Sequence, residues 1–440
     1  MQVLYNILFT VFFWLSAPFY FLKMWRRGQW RVGFGERFGF HGTKLKQALS
    51  NRETLWIHAV SVGEVNISTH LIQALERDAP NLKVVVSTTT STGMAELRKK
   101  LPAHIGKIYY PVDFGGSVLR ALNVIHPRAI VLVEAEIWPN FLWRAFSRKV
   151  PVFLVNARLS ERSFRGYRRF GFLFRPIFAR FTAVGCQNEE DAVRLRALGF
   201  RPEAVHVVGN LKFDSASPLD SRRWLDIPGM LRQMGVPAGS PILVAGSTHA
   251  GEEKILGEIF LRLRKKFPGL FLILVPRHFE RGKEVGRDLE ALPVKYIYRN
   301  LIREGTRMEP GEVECLVVNT TGELRFFYEH ATVIFVGKSL TADGGQNPIE
   351  PGALGKPMIF GPNMQNFESI AKTFVEQKGA LQVRNAAELE AGLERLFGDP
   401  VLRRELGQKA EAIVRINRGG IDRTTGLILE CLGERSDAVD

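Results

Sequence analysis

From Thr54 onward the chain repeats one pattern. A short apolar run is followed by a turn of small residues, then by a longer segment whose apolar positions fall three and four apart. The runs TLWIHAV (54–60), KVVVST (83–88), HIGKIYYPVD (104–113), RAIVLVEAE (128–136), PVFLVNA (151–157), FTAVGC (181–186) and AVHVVGN (204–210) are rich in Val and Ile and lack a polar face. Strands of this kind belong to a parallel sheet covered on both sides. Between the first two, SVGEVNISTHLIQALERD places Val65, Ile67, Leu71, Ile72 and Leu75 along one side of a helix. The pattern breaks at 214–240, a polar stretch with a short helix in it. It resumes with PILVAGST, LFLILVPRH, VKYIYRN, VECLVVN, ATVIFVG, PMIFG and ALQV, and beyond Val383 only helical periodicity remains. This reads as two Rossmann-like, doubly wound α/β domains facing a cleft, 28–213 and 241–440, joined by a linker at 214–240. The second domain is expected to hold the terminal helices.

Residues 3–22, VLYNILFTVFFWLSAPFYFL, carry no charge. A run of about 20 apolar residues is long enough to cross a bilayer as a helix. Lys23, Arg26 and Arg27 follow it, so 1–27 reads as a membrane anchor with a basic flank. The positive-inside rule then puts the rest of the chain on the cytoplasmic face of the inner membrane. Asn6, Ser16 and Pro18 weaken a full span, and a helix lying in the interface is the alternative. The net charge is +15, from 60 basic and 45 acidic residues. Such an excess points to polyanionic partners: an anionic membrane surface, a phosphorylated substrate or nucleic acid. No nucleic-acid-binding motif accompanies it, so nucleic acid is excluded as a partner. Cys186, Cys315 and Cys431 are too far apart for a disulfide framework or a metal-ligand spacing. No cofactor signature is present.

Ligands of parallel α/β sheets bind where strands end, and the turns there carry the candidate chemistry. In the first half, Ser61 and Gly63 would let the backbone approach an anion, with Glu64 near the helix start. The same residues suit a helix cap equally well. They form no P-loop, because the Lys-Ser/Thr pair is missing. Glu134 and Glu136 end a run, and strand alternation puts both on one face. Paired carboxylates raise each other's pKa and favour a functional site. Arg158 opens a basic segment in which Arg162, Arg165, Arg168 and Arg169 alternate with Phe164, Tyr167, Phe170, Phe172 and Phe174. It reads as a phosphate or headgroup surface, or as a solvated basic face over an aromatic stripe. In the second half, Ser247 and Thr248 precede a helix start and Arg277 ends a run. Gly322, Glu323 and Leu324 lie in TTGEL, and Gly337 opens the segment 337–367, which holds Gly344, Gly345, Asn347 and Glu350. Four such loops in one half indicate a nucleotide or nucleotide-sugar pocket, with Asn347 and Glu350 as ligands and the start of a helix facing phosphate.

The ordered series GER.G, H.VSVGE, E.E.WPN, NARLS.RS, QNEED, G..KFD, STH.GEE, LVPRH.ER, TGEL and GG.NP.E, with N.F downstream, runs from Glu36 to Phe367. It resembles the Kdo transferases of lipid A synthesis, which move 3-deoxy-D-manno-octulosonic acid (Kdo) from CMP-Kdo to a lipid A precursor. The resemblance implies a metal-independent, inverting glycosyltransferase of the GT-B type, with the acceptor on the first half and CMP-sugar on the second. It implies Glu36 as general base, on a flexible Gly-rich loop (GFGERFGFHG), and Glu136 as a second acceptor-side acid. It gives Arg277 and Gly322 to Leu324 to the nucleotide, and Asn347 and Glu350 to the ribose and phosphate region. Where the family carries His before Asn347, this chain has Gln346. The competing readings are a GT-B enzyme using another nucleotide sugar such as a UDP-hexosamine, and a membrane-anchored nucleotide-binding scaffold.

Overall fold

The computed structural model describes residues 2–26, 31–49, 53–134, 136–215 and 225–433. The chain forms two compact units, Met1–Ser215 with Arg418–Asp440, and Ala216–Asn417. Each holds one seven-stranded sheet, and every strand pairing is parallel. In the first unit the strands are β1 (Thr54–His58), β2 (Lys83–Thr88), β3 (Gly106–Tyr109), β4 (Pro127–Val133), β5 (Val152–Ala157), β6 (Ala183–Cys186) and β7 (Val205–Val207), in the order β3-β2-β1-β4-β5-β6-β7. In the second they are β8 (Ile242–Thr248), β9 (Phe271–Pro276), β10 (Tyr296–Tyr298), β11 (Cys315–Val317), β12 (Val333–Val336), β13 (Met358–Phe360) and β14 (Leu381–Gln382), in the order β10-β11-β9-β8-β12-β13-β14. Each apolar run thus became a strand. Each sheet reverses direction once, between β1 and β4 and between β8 and β12, and such switch points open a crevice at the carboxyl edge.

Alternation along β1 shows why the runs lack a polar face. Trp56 points into one core, beside Ile108, Phe141 and Val184, whereas Leu55 and Ile57 point into the other, beside Leu71, Val131 and Leu429. Both cores are dry because helices cover both faces.

Two boundaries differ from the sequence reading. The last helix, Gly420–Leu432, belongs to the first unit: Ile421, Ile428 and Leu429 enter its core. Asp214, placed by the sequence reading at the start of the linker, fixes this helix. Its carboxylate accepts from the Gly419 and Ile421 amides, both at 2.7 Å, a charge favourable at a helix start. Periodicity identified the helix, but it carries no information about which core the helix joins. Linker residues 216–224 and the basic flank residue Arg27 lie outside the described residues.

Candidate functional site

In the first unit Glu36 sits on a short 3-10 turn, Glu36–Phe38, beside the carboxyl end of β3. Its Oε2 accepts from the Tyr109 amide at 2.9 Å. Its Oε1 makes no hydrogen bond among the described residues. The surrounding loop is tied to its neighbours. Gly39 has φ +80°, and a Cβ there would lie 2.5 Å from the Ser117 carbonyl oxygen. Arg120 Nε donates to the Phe38 carbonyl at 2.9 Å, the Val112 amide to that of Arg37 at 2.7 Å, and Arg37 Nη1 to that of Thr89 at 2.7 Å. Of the glycines in GFGERFGFHG, Gly33 and Gly39 therefore serve close packing, whereas Gly35 and Gly42 do not.

The switch point of this unit is acidic. Ser61 Oγ accepts from the Glu64 amide at 3.2 Å, while the Glu64 carboxylate accepts from the amides of Val60 (2.8 Å) and Ser61 (3.3 Å). This is a capping box at the start of the helix Val62–Asp78. Burial raises the Glu64 pKa, and the charges of Glu134 and Glu136 raise it further. β4 stops at Val133, because Glu134 has φ +62° and leaves the extended conformation. Glu134 and Glu136 thus occupy a loop and do not share a strand face. Asn156 Nδ2 donates to Glu134 at 3.3 Å, and Trp138 Nε1 to Glu136 at 2.8 Å. The Glu136 carboxyl is also pushed up, chiefly by burial. Arg158 follows β5, half-buried, above a cavity it lines with Glu134, Tyr167 and Phe178. At about 10 Å³, that cavity has room for about one water. In the basic segment, Phe164, Tyr167 and Phe174 pack on the core, while Phe170 and Phe172 stay exposed.

In the second unit the strand-end loops are welded by a residue that sequence reasoning missed. Glu252 is fully buried. Its Oε2 accepts from the amides of His249 (2.9 Å) and Lys338 (2.8 Å), its Oε1 from those of Ser339 (2.8 Å) and Leu340 (2.9 Å). One carboxylate thereby fills the anion nest that the Gly337 loop would otherwise present. Three further amides there are also taken: Gly337 donates to the Gly246 carbonyl, Gly344 to the Gln365 side chain and Gly345 to the Lys338 carbonyl. Gly337 itself is needed for close approach, since a Cβ would lie 2.6 Å from Ser247 O and Thr248 Cα. The only sign of Glu252 in the sequence was its place three residues after His249, a capping-box spacing.

Other predicted ligands also have structural partners. Thr248 is buried and donates to Glu253 at 2.8 Å; Glu253 in turn pairs with Arg281. Glu323 pairs with Arg299 at 3.1 Å and accepts from Thr320 at 2.7 Å. Asn347 precedes the short helix Ile349–Ala353, whose N-cap is Pro348; its Oδ1 accepts from the Ile349 amide at 3.0 Å, and its Nδ2 donates to Glu350 at 3.3 Å. Gly322 has φ +80° and Ser247 φ +55°, the latter where β8 shifts register before Thr248. Leu324 begins the helix Leu324–Glu329. Burial raises the Glu350 pKa, and the charges of Arg325 and Arg277 pull it back. Arg277 is exposed at the end of β9. The resulting cluster, Arg277, Arg325, Glu350 and Asn347, lies on the loops and helices that follow β9, β11 and β12.

Comparison with known proteins now bears on these two sites. Residues 32–215 match the family model described as 3-Deoxy-D-manno-octulosonic-acid transferase (kdotransferase). The chain is 32% identical over 402 residues to the 3-deoxy-D-manno-octulosonic acid transferase of Haemophilus influenzae, covering 91% of each chain. It is 34% identical over 432 residues to that of Bordetella pertussis, covering 95% of this chain and 97% of the relative. The UDP-GlcNAc 2-epimerase of Neisseria meningitidis, solved with UDP-GlcNAc, shares the fold at TM-score 0.55 and 16% identity, over 87% of this chain and all of that one. The two sheets are those of the GT-B architecture, and this chain, a glycosyltransferase, belongs to the 3-deoxy-D-manno-octulosonic acid transferase family.

Proposed function

We propose that the protein moves Kdo from CMP-Kdo to a hydroxyl of a lipid A precursor, with Glu36 as general base. The observation that carries this reading is the Glu36 carboxylate. One oxygen is fixed by the Tyr109 amide, and the other is open to take a proton. A general base must reach the hydroxyl it deprotonates, and a pinned carboxylate loses little freedom in doing so. The acceptor oxygen attacks the anomeric carbon of Kdo while its proton passes to Glu36. The bond from that carbon to the CMP phosphate oxygen breaks, and CMP leaves with the electron pair. Attack opposite the leaving group inverts the anomeric centre.

The donor lies on the second unit. With the loop amides occupied by Glu252, Gln365 and neighbouring carbonyls, side-chain cations meet the phosphate: Arg277 above all, with Lys338 beside Gly344. Such fixed charges stabilise a departing anion. Glu350 and Asn347 face the ribose, and Ser247 and Gly322 shape the pocket. Gly337, Thr248, Glu323 and Leu324 act behind them as framework. On the acceptor side, Arg158 takes an acceptor phosphate and Glu136 an acceptor hydroxyl, while Ser61, Gly63 and Glu64 shape the neighbouring turn after β1. The acceptor is a lipid, which matches an apolar helix at Gln2–Leu22 long enough to reach across a membrane. The basic residues after it favour the cytoplasmic face for the catalytic units.

Mass spectrometry of a lipid A precursor incubated with CMP-Kdo and the protein tests the reading, and the mass gain counts the sugars. Product formed from a UDP-sugar instead would assign the donor to another nucleotide class. Glu36→Gln is expected to lower turnover by about 10²–10⁴-fold. Turnover near the wild-type rate would remove Glu36 as the base.

A further inference from the structure

The N-terminal helix Gln2–Arg26 is tied to the first unit through its first half. Tyr5 Oη donates to Asp113 Oδ2 at 2.8 Å, and Asn140 Nδ2 donates to Asn6 Oδ1 at 2.6 Å. Asp113 is buried and also accepts from the amides of Asn140 (3.0 Å) and Phe141 (2.8 Å), at the start of the helix Pro139–Ser147. Rings continue the contact. Tyr5 meets Trp143 edge-on at 5.6 Å, Phe9 meets Phe114 at 5.2 Å and Trp138 at 6.3 Å, and Phe13 meets Phe114 at 4.9 Å. Positions 5, 9 and 13 form one stripe of a helix. On the opposite side Leu4, Ile7, Val11, Trp14, Leu15 and Leu22 are 42–78% exposed.

We infer that this helix lies in the plane of the membrane interface, as part of the first unit's lipid-facing surface, and does not cross the bilayer. At 1.5 Å per residue, Tyr5 and Lys23 are about 27 Å apart, nearly the thickness of the hydrocarbon core, about 30 Å. A span with Lys23 and Arg26 at the near headgroups would carry Tyr5 and Asn6 to the far side. They would take with them Asp113, Asn140 and a helix whose Arg144 is exposed, followed directly by exposed Arg148. Hydrocarbon strongly disfavours charged side chains carried into or through it. Lying flat keeps every contact and seats the outer apolar face about 5–10 Å deep.

The occupant is an anionic lipid surface, on grounds of charge. The helix Gly171–Phe178 packs on both Pro139–Ser147 and Glu161–Arg169. This group carries exposed Arg162, Arg165, Arg168 and Arg169, with Phe170 and Phe172 exposed at 49% and 60%. Basic side chains beside apolar tips suit anionic headgroups. The inference extends the membrane reading above and does not depend on donor or acceptor identity.

A protease recognition sequence fused ahead of Met1 tests it in sealed vesicles of known orientation. Cys186 and Cys315 are buried and Cys431 is exposed, so an impermeant maleimide on Cys431 marks the side that holds the first unit. Cleavage from that side without detergent is expected. A site protected until detergent is added would overturn the inference, whatever the transferase activity. In a second arm, Ile7→Glu/Val11→Glu/Leu15→Glu is expected to weaken binding to phosphatidylethanolamine–phosphatidylglycerol vesicles at least tenfold, with circular dichroism unchanged. Unchanged binding would remove this face as a lipid contact. Lost self-association with vesicle binding retained would give the face to a second copy and overturn the lipid assignment.

Discussion

Replacing Glu252 by Gln keeps the side chain's shape and removes one acceptor oxygen. Each Glu252 oxygen accepts two amides, so whichever way Gln turns, its NH2 faces two N–H groups. Leaving a buried donor unpaired costs about 1–3 kcal/mol, which gives about 2–6 kcal/mol for the pair. That is a large share of the roughly 5–15 kcal/mol that holds a domain folded. The loop recovers part of it by opening to water, so the damage divides between stability and donor binding. Urea unfolding of Glu252→Gln is expected to show a loss of at least about 2 kcal/mol. The KM for CMP-Kdo should rise more than kcat falls, because the loop carrying Lys338 and Asn347 loosens while Glu36, on the other unit, is untouched. Glu252→Asp is too short to reach both loops and should not restore either value. A Glu252→Gln protein that unfolds at the wild-type urea concentration would refute the clamp. One that is destabilised with unchanged KM would confine Glu252 to folding.

Further outcomes follow from single groups. Burial pushes the Asp113 carboxyl up to about 7, above its unfolded value near 3.9. The folded state holds that proton more tightly, so the contribution is full below about pH 4 and is lost as pH rises through about 7. Wild type should therefore lose stability relative to Asp113→Asn by up to about 1.4 kcal/mol per pH unit across this window; parallel urea curves at pH 5 and 7 would refute the assignment. Gly337→Ala forces a Cβ to 2.6 Å from backbone atoms of β8 and is expected to cost about 1–3 kcal/mol or more, read as a lower Tm. Gly63→Ala meets only Ser61 Oγ at 3.7 Å inside a helix, so its Tm should hold or rise, Ala being favoured by about 1 kcal/mol there. Arg277→Ala should raise the KM for CMP-Kdo tenfold or more with the urea midpoint unchanged, because its side chain is exposed.

The sheets were legible because burial on both faces leaves a strand no polar position, and each Val/Ile run had one interpretation. Side-chain commitments were less legible. Nothing in VEAE distinguishes a strand continuing through Glu134 from one that stops at Val133, because the choice lies in a left-handed φ fixed by the loop around it. The glycines around Glu36 suggested mobility. In the structure Gly33 and Gly39 mark backbone packed too closely for a Cβ, a property of Tyr109 and Ser117, which are distant in sequence and invisible locally. Asn347 read as a ligand; that its side chain also turns back onto the Ile349 amide depends on the local backbone and is not written in the residue types. Glu252 went unnoticed because three of its four donors lie on a loop far along the chain.

The two switch points divide the chemistry by charge. That of the first unit gathers Glu64, Glu134 and Glu136, whose charges raise the Glu64 pKa, with Glu36 further along the same carboxyl edge. That of the second carries Arg277 and Arg325 close enough to Glu350 to lower its pKa against burial. A transfer from a nucleotide-activated sugar has the same two demands: a carboxylate to accept the acceptor's proton and fixed cations to receive an anionic leaving group. In many phosphate sites backbone amides at a helix start meet the anion. Here a buried glutamate occupies those amides, and the five-residue helix at Ile349 begins with a proline cap and a capped amide. In the proposed donor site, phosphate recognition therefore leans on side-chain cations. Backbone amides hold their charge at any sequence, whereas Arg277 is a replaceable group, so loss of that one side chain is expected to cost donor affinity more than the Gly-rich loop suggests.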